Sequence, residues 1–187
     1  MIVNETHELE TYSLSKSTGL SELLKSHWNW TRDNFQDADR SSSIITIEYD
    51  STLAAVARAA FRDRGFDDRI QVIEGKAEDV LENLTGSFDL IFVDLEFSAY
   101  KPIVAQILAR GLLDEQGIML VDNVFARGFV LGIQGSQNVA ADTLDHWTEA
   151  GKIVQDFNDF LAASSSIRVT IMPFFDGIAE ICLNLPA

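Results

Sequence analysis

A chain of 187 residues with 47% hydrophobic side chains has enough material for one layered domain with a single core. Its 29 acidic against 14 basic side chains give a net charge of −15, which repels nucleic acid and anionic membranes and leaves small molecules or other proteins as partners. The single Cys182 excludes a disulfide framework, no stretch reads as a signal peptide, and no apolar run approaches the ~20 residues that cross a bilayer, so a cytoplasmic location is expected.

Residues 1–42 show no regular alternation. Ser43–Glu48 reads as a strand by β-branching, and Asp50 or Ser51 can cap the helix that follows. Leu53, Val56, Ala57, Ala60 and Phe61 recur at helical spacing on that helix, and Gly65 stops it. A strand is predicted over Arg69–Glu74, a short helix over Ala77–Leu84, and a strand over Phe88–Asp94 after the turn at Gly86. A helix over Ser98–Arg110 comes next, then a strand ending at Asp122 and a loop through Gly128, Gly132 and Gly135. A long amphipathic helix carries Leu144, Trp147, Val154, Phe157 and Leu161, an aromatic and aliphatic stripe of the kind that faces a core. Two strand-like runs, Ile167–Pro173 and Ile178–Leu185, flank Phe174-Phe175-Asp176-Gly177, whose Asp-Gly is a hairpin signal that returns the last strand antiparallel. Cys182 falls within that strand.

Short apolar runs separated by helices are what strands buried on both faces of a parallel sheet look like, and ligands of such sheets bind beyond the carboxyl ends of the strands. Phe88-Asp89-Leu90-Ile91-Phe92-Val93 ends on Asp94, and Gly117-Ile118-Met119-Leu120-Val121 ends on Asp122 and Asn123. Together they offer three oxygen ligands, a set that suits Mg²⁺, Ca²⁺ or Mn²⁺ and disfavours zinc. Asp and Asn are also common turn formers at strand ends, which is the alternative reading of all three.

From Ser43 onward the motifs TIEYD, IEGKAEDVL, FDLIFVD, GIMLVDNVFARG, FNDFLAASSSIRV and MPFFDGIAE stand in an order and spacing that resemble the cation-dependent class I O-methyltransferases of the catechol and caffeoyl-CoA type, in their fungal form. The resemblance implies a three-layer, Rossmann-like α/β fold in a single domain over residues 1–187. Its sheet would be mostly parallel, with an antiparallel strand from the C-terminal hairpin. It further implies S-adenosylmethionine and Mg²⁺, or another hard divalent cation, as cofactors. The ribose-binding acid falls on Glu48, the adenine-contacting turn on Gly75, Ala77 and Glu78, and the metal and catalytic set on Asp94, Asp122 and Asn123, with Asp94 also beside the cofactor. A small-molecule substrate is the expected partner, and a homodimer is compatible with the resemblance.

Departures from the family pattern bear on chemistry. The glycine-rich turn expected after the first strand is missing, and the best match is Thr18-Gly19-Leu20-Ser21, which puts Gly19 and Ser21 against the cofactor's methionine portion. Trp28–Asp33 reads as an insertion, and the family's N-terminal helices are mostly lacking. The family's general-base lysine, three residues after the first metal aspartate, is replaced by Phe97, while Lys101 lies one helical turn further on and Glu96 precedes. Two functions follow: O-methylation of a small phenolic or enolic secondary metabolite, or a repurposed fold without methyl transfer, acting as a lyase, isomerase or cyclase or as a noncatalytic binding protein.

Overall fold

The computed structural model describes residues 43–132 and 139–184. They divide into two compact units: one holds residues 43–46 together with Ala55–Val72, the other Ile47–Ala54 together with the described residues from Ile73 onward. Gly19, Ser21 and the Trp28–Asp33 stretch lie outside the described residues.

The chain begins with β1 (Ile44–Glu48), α1 (Ser51–Asp63) and β2 (Ile70–Glu74). Asp50 caps α1 by accepting the N–H groups of Thr52 at 2.7 Å and Leu53 at 3.0 Å, and Gly65, at φ 69°, takes the left-handed turn that ends it. β1 and β2 form a two-stranded sheet, bracketed by Ile44 N–H to Arg69 O at 2.8 Å and Gly75 N–H to Glu48 O at 3.0 Å, an order that makes the pair parallel.

Within the second unit follow α2 (Ala77–Leu81), β3 (Phe88–Val93), α3 (Phe97–Ala109) and β4 (Leu113–Asp122). α4 (Leu144–Ala163), β5 (Ile167–Met172) and β6 (Ile178–Leu183) complete it. The helix at Ala77 is shorter than its expected reach to Leu84. The expected loop beyond Asp122 is instead a 3-10 segment over Ala126–Leu131, broken where Arg127 and Gly128 take positive φ. The four-stranded sheet has the order β3-β4-β6-β5, with β3 and β4 parallel and β6 antiparallel to both β4 and β5. This is the expected α/β architecture: three strands run one way and the hairpin strand opposes them.

Tyr100, Ile103, Val104 and Ile107 recur at helical spacing on α3 and are buried with Val154, Phe157 and Leu161 of α4 against Met119, Val121, Ala179 and Ile181 of the sheet. Each such aliphatic or aromatic side chain contributes roughly 1.5–3 kcal/mol by leaving water. The aromatic stripe of α4 is therefore core, as its spacing indicates. β3 departs from the expectation of burial on both faces: Val93 is buried, but Leu90 and Phe92, on the alternate face, are 62% and 58% exposed. The packed helices α3 and α4 lie on one face of this sheet, and no helix among the described residues is long and apolar enough to cross a membrane.

Gly117 and Gly151 are set by close approach. A Cβ on Gly117 would lie 2.8 Å from the Phe88 carbonyl oxygen, where the β3–β4 register shifts between Phe88 and Leu90. One on Gly151 would lie 2.5 Å from the Phe129 carbonyl oxygen, so the 3-10 segment rests directly on α4.

Candidate active site

The parallel register pairs Val93 with Val121, which brings the next residue of each strand, Asp94 and Asp122, side by side at the carboxyl ends of β3 and β4. Asn123 follows at φ 56°, an uncommon conformation for a non-glycine residue, and its backbone N–H donates to Asp122 Oδ1 at 2.7 Å. The left-handed turn departs from the extended path of β4 at the point where a straight strand would alternate the Asn123 side chain to the opposite face from Asp122.

Asp176, in the turn between β5 and β6, joins this group. Its carboxylate accepts the Arg127 N–H at 2.6 Å, and its main-chain oxygen accepts the Phe125 N–H at 2.9 Å. Burial, with Asp122 adding to it, pushes the Asp176 carboxyl above the ordinary carboxylate range, against the lowering by Arg127 and Asn123.

Tyr100 closes the cluster from α3. Its ring is fully buried and its hydroxyl has no hydrogen-bond partner. Burial first, and then the charges of Asp94, Asp122 and Asp176, drive the phenol far above its usual pKa, so it is a hydrogen-bond donor and not a base. The clustering of carboxylates around an unpartnered buried donor is electrostatically incomplete, and an oxygen-bearing ligand with a cation would relieve it.

A hard divalent cation fits this donor set. Among the described residues no group of three or more Asp, Glu, His or Cys side chains is arranged to hold a metal by itself. A cation at Asp94 and Asp122 therefore needs the Asn123 amide oxygen, and then oxygens of bound molecules or water to fill its shell, a pattern usual for Mg²⁺.

An aromatic wall stands beside the cluster. Phe97 meets Tyr100 edge-on with centroids 5.6 Å apart and Trp147 at 6.2 Å, while Trp147 stacks on Phe129 at 6.5 Å. The Arg127 guanidinium lies 4.5 Å from the centre of the Trp147 ring, a cation–π contact that holds a positive charge near the carboxylates. Lys101 does not replace the missing base: its Nζ pairs with Asp156 of α4 at 2.8 Å and lies over Phe160 at 5.7 Å.

Glu48 stands at the carboxyl end of β1, its Oε1 accepting the Asp50 N–H at 2.7 Å, which orients the carboxylate and leaves its other oxygen for a ligand. Its main-chain oxygen holds Gly75, whose φ of 152° admits no ordinary side chain, and Ala77 opens α2. The Glu78 side chain is exposed, but its carbonyl is anchored by Gln106 of α3 at 3.0 Å.

Sequence reasoning passed over Asp176, Tyr100 and Arg127. In the sequence Asp176 stands out only as part of the Asp-Gly turn. The available signal was topological: a hairpin strand antiparallel to the one ending at Asp122 brings its preceding turn to the same edge. Tyr100 shares a helical face with Phe97 at i, i+3, which was available from spacing alone.

Residues 36–184 match the family model described as O-methyltransferase. The chain is 28% identical over 156 residues to an O-methyltransferase of Aspergillus hancockii, which covers 75% of this chain and 62% of that protein. It is 29% identical over 150 residues to a catechol O-methyltransferase of Niastella koreensis, at the same coverage of 75% and 62%. The chain thus spans less than two thirds of the length of both. A Podospora anserina methyltransferase, solved with SAH bound, superposes with a TM-score of 0.73 at 31% identity, covering 98% of this chain and 97% of that one.

Proposed function

The chain belongs to the O-methyltransferase family, and from that premise we propose that it moves a methyl group from S-adenosylmethionine to a hydroxyl oxygen of a small phenolic or enolic secondary metabolite, with Mg²⁺ or a similar cation at Asp94, Asp122 and Asn123. The observation that carries this reading is the register of β3 on β4, which sets Asp94 beside Asp122 at the strand ends. The SAH bound to the Podospora relative supports the choice of methyl donor. The net charge of −15 favours a small-molecule acceptor over nucleic acid, and a cytoplasmic enzyme able to form a homodimer accords with the reading.

In the transfer, the acceptor hydroxyl gives its proton to water, the S–CH3 bond breaks as the O–CH3 bond forms in line with it, and S-adenosylhomocysteine leaves with the electron pair of the broken bond on sulfur. When bound, a divalent cation lowers the pKa of an acceptor hydroxyl and holds its oxygen. The protein's own contribution is positional and electrostatic. The free Glu48 oxygen is placed to accept from ribose hydroxyls, and Gly75 lets the main chain come close to the cofactor. The Tyr100 hydroxyl, which has no partner among the described residues, is a donor for an oxygen of a molecule bound at the carboxylate cluster. Phe97 and Trp147, both partly exposed, offer an apolar aromatic surface to an aromatic or enolic acceptor, with Phe129 buried behind Trp147.

Calorimetry with S-adenosylmethionine tests the reading without knowledge of the acceptor. The parent should bind, and Glu48→Ala should bind about 10- to 150-fold more weakly through loss of a charge-assisted hydrogen bond. A parent that binds none rejects methyl transfer. The repurposed-fold reading is favoured by one observation, the packing of Phe97 into an aromatic cluster where the family places its lysine. It would be carried by a parent that binds the cofactor but methylates no member of a panel of catechols and enols.

A further inference from the structure

We propose that Arg127 selects the acceptor: its guanidinium receives a carboxylate carried by an aromatic acceptor at the end remote from the reacting hydroxyl. The substrate class is then a phenolic acid and not a neutral phenol. This rests on the reading of the strand ends as a methyl-transfer site.

An arginine among carboxylates ordinarily pairs with one of them through its head group. Asp176 instead takes the main-chain N–H of Arg127, at 2.6 Å, and among the described residues the guanidinium makes no hydrogen bond or ion pair. It lies over Trp147, 4.5 Å from the ring centre, a contact that locates the charge and leaves its N–H donors for a planar anion. A carboxylate matches two of those donors side by side. Lys101 and Lys152, by contrast, are already paired, with Asp156 at 2.8 Å and Glu149 at 3.3 Å.

A run of ring contacts leads from the strand ends to this cation. Phe97 opens α3 shortly after Asp94, its ring meets Trp147 with centroids 6.2 Å apart, and Trp147 in turn carries the guanidinium. Phe97 and Trp147 are partly exposed and Arg127 is exposed, so the surface is open to a ligand. An acceptor with its hydroxyl oxygen at Asp94 and Asp122 and its ring along Phe97 and Trp147 presents its far substituent to Arg127. The net charge of −15 opposes an anionic acceptor everywhere else, so a local cation is what retains it. Arg127 also stands at φ 54° and ψ 32°, a left-handed conformation that non-glycine residues keep only where neighbouring contacts over-determine it. The bond to Asp176 supplies one such contact, and a long cationic side chain is held at a turn that glycine would occupy without strain.

The test measures, by calorimetry with Mg²⁺ and S-adenosylhomocysteine present, the binding of protocatechuate and of its methyl ester to the parent, Arg127→Gln and Arg127→Lys. The two probes share the catechol and differ by one negative charge. The parent should bind the acid about 5- to 20-fold more tightly than the ester, between the effect of an exposed ion pair and that of a buried charged hydrogen bond. Arg127→Gln should bring that ratio to about one, and Arg127→Lys should keep part of it, since lysine retains the charge without the planar fork. A merely structural arginine would weaken both probes on removal and leave their ratio where it was, which would overturn the proposal. A parent that binds the ester as tightly as the acid, or binds neither, would overturn it as well. So would a preference for the acid that survives Arg127→Gln, because the carboxylate would then sit on the cation. Binding of S-adenosylmethionine by the parent is read separately. If it is present and the acid preference is absent, methyl transfer stands and this inference alone falls; if it is absent, the methyl-transfer reading fails and the ratio still decides the role of Arg127. Should Arg127→Gln fail to fold, Arg127→Lys decides: its ratio must fall below that of the parent, and an unchanged ratio refutes the guanidinium contact.

Discussion

At the residue scale, Tyr100 and Phe97 make opposite predictions. The Tyr100 hydroxyl is buried without a partner, a state that costs the desolvation of the group and returns nothing until a ligand arrives. Tyr100→Phe should therefore leave the ligand-free protein as stable as the parent, or more stable by up to about 1–3 kcal/mol, as read by thermal or denaturant unfolding. A clear loss of stability would mean that the hydroxyl already has a partner in solution. Phe97→Lys should do the reverse. It removes edge-on contacts with Tyr100 and Trp147, each worth about 0.5–1.5 kcal/mol, so a loss of about 1–3 kcal/mol is expected from urea titration. If the protein methylates a hydroxyl, the new amine should also move the rise of the pH–rate profile to lower pH, because a placed base typically contributes ~10²-fold or more.

At the scale of elements, most of the architecture was legible because the strands are short β-branched runs and the helices carry buried side chains at regular spacing. Asp94 and Asp122 could be placed because each is the first polar residue after such a run. Local pattern could not show that Leu90 and Phe92 would be exposed, since that depends on what covers the sheet and not on the strand. Nor could it find the 3-10 segment over Ala126–Leu131, where long-range bonds to Asp176 and Gly177 outweigh the glycine-rich composition. Gly151 shows the same limit and yields a test. Alanine normally favours a helix over glycine by about 1 kcal/mol. Here Gly151→Ala should instead destabilise by about 1–3 kcal/mol in chemical denaturation, because the new methyl meets the Phe129 main chain.

The start of β4 supplies a pH test at this scale. The Gln116 N–H at 3.0 Å and the Ser87 hydroxyl at 3.0 Å hold the Asp114 carboxyl below its ordinary value of 3.8. A carboxyl whose pKa is lower folded than unfolded stabilises above its unfolded value, and that contribution disappears as pH falls through the folded one. Asp114→Ala should thus be less stable than the parent near neutrality, with the gap closing below pH ~3.8. A gap that persists in acid would point to packing rather than charge.

At the scale of the whole molecule, a net charge of −15 makes the protein a general attractor of cations, so binding at the strand ends must be separated from screening. A specific site stabilises by mass action, about 2.7 kcal/mol at a hundred times Kd, whereas screening follows ionic strength alone. Millimolar Mn²⁺ should raise the melting temperature of the parent beyond a NaCl control of matched ionic strength. In Asp122→Ala the two salts should act alike.

The sheet order places β6 between β4 and β5, so the edge that carries Asp122 and Asn123 is completed by residues made some fifty positions later. During synthesis, a chain exposed from the ribosome only as far as α4 already holds Asp94, Asp122 and Asn123, and Asn158 to hold the Val124 carbonyl, yet it lacks the bonds from Val124, Phe125 and Arg127 to Asp176 and Gly177. Closing such long-range pairings is slow, because loop entropy is lost before the contacts form. Ligand competence should therefore arrive as a single late event, when the C-terminal hairpin docks, and not accumulate as the individual ligands emerge.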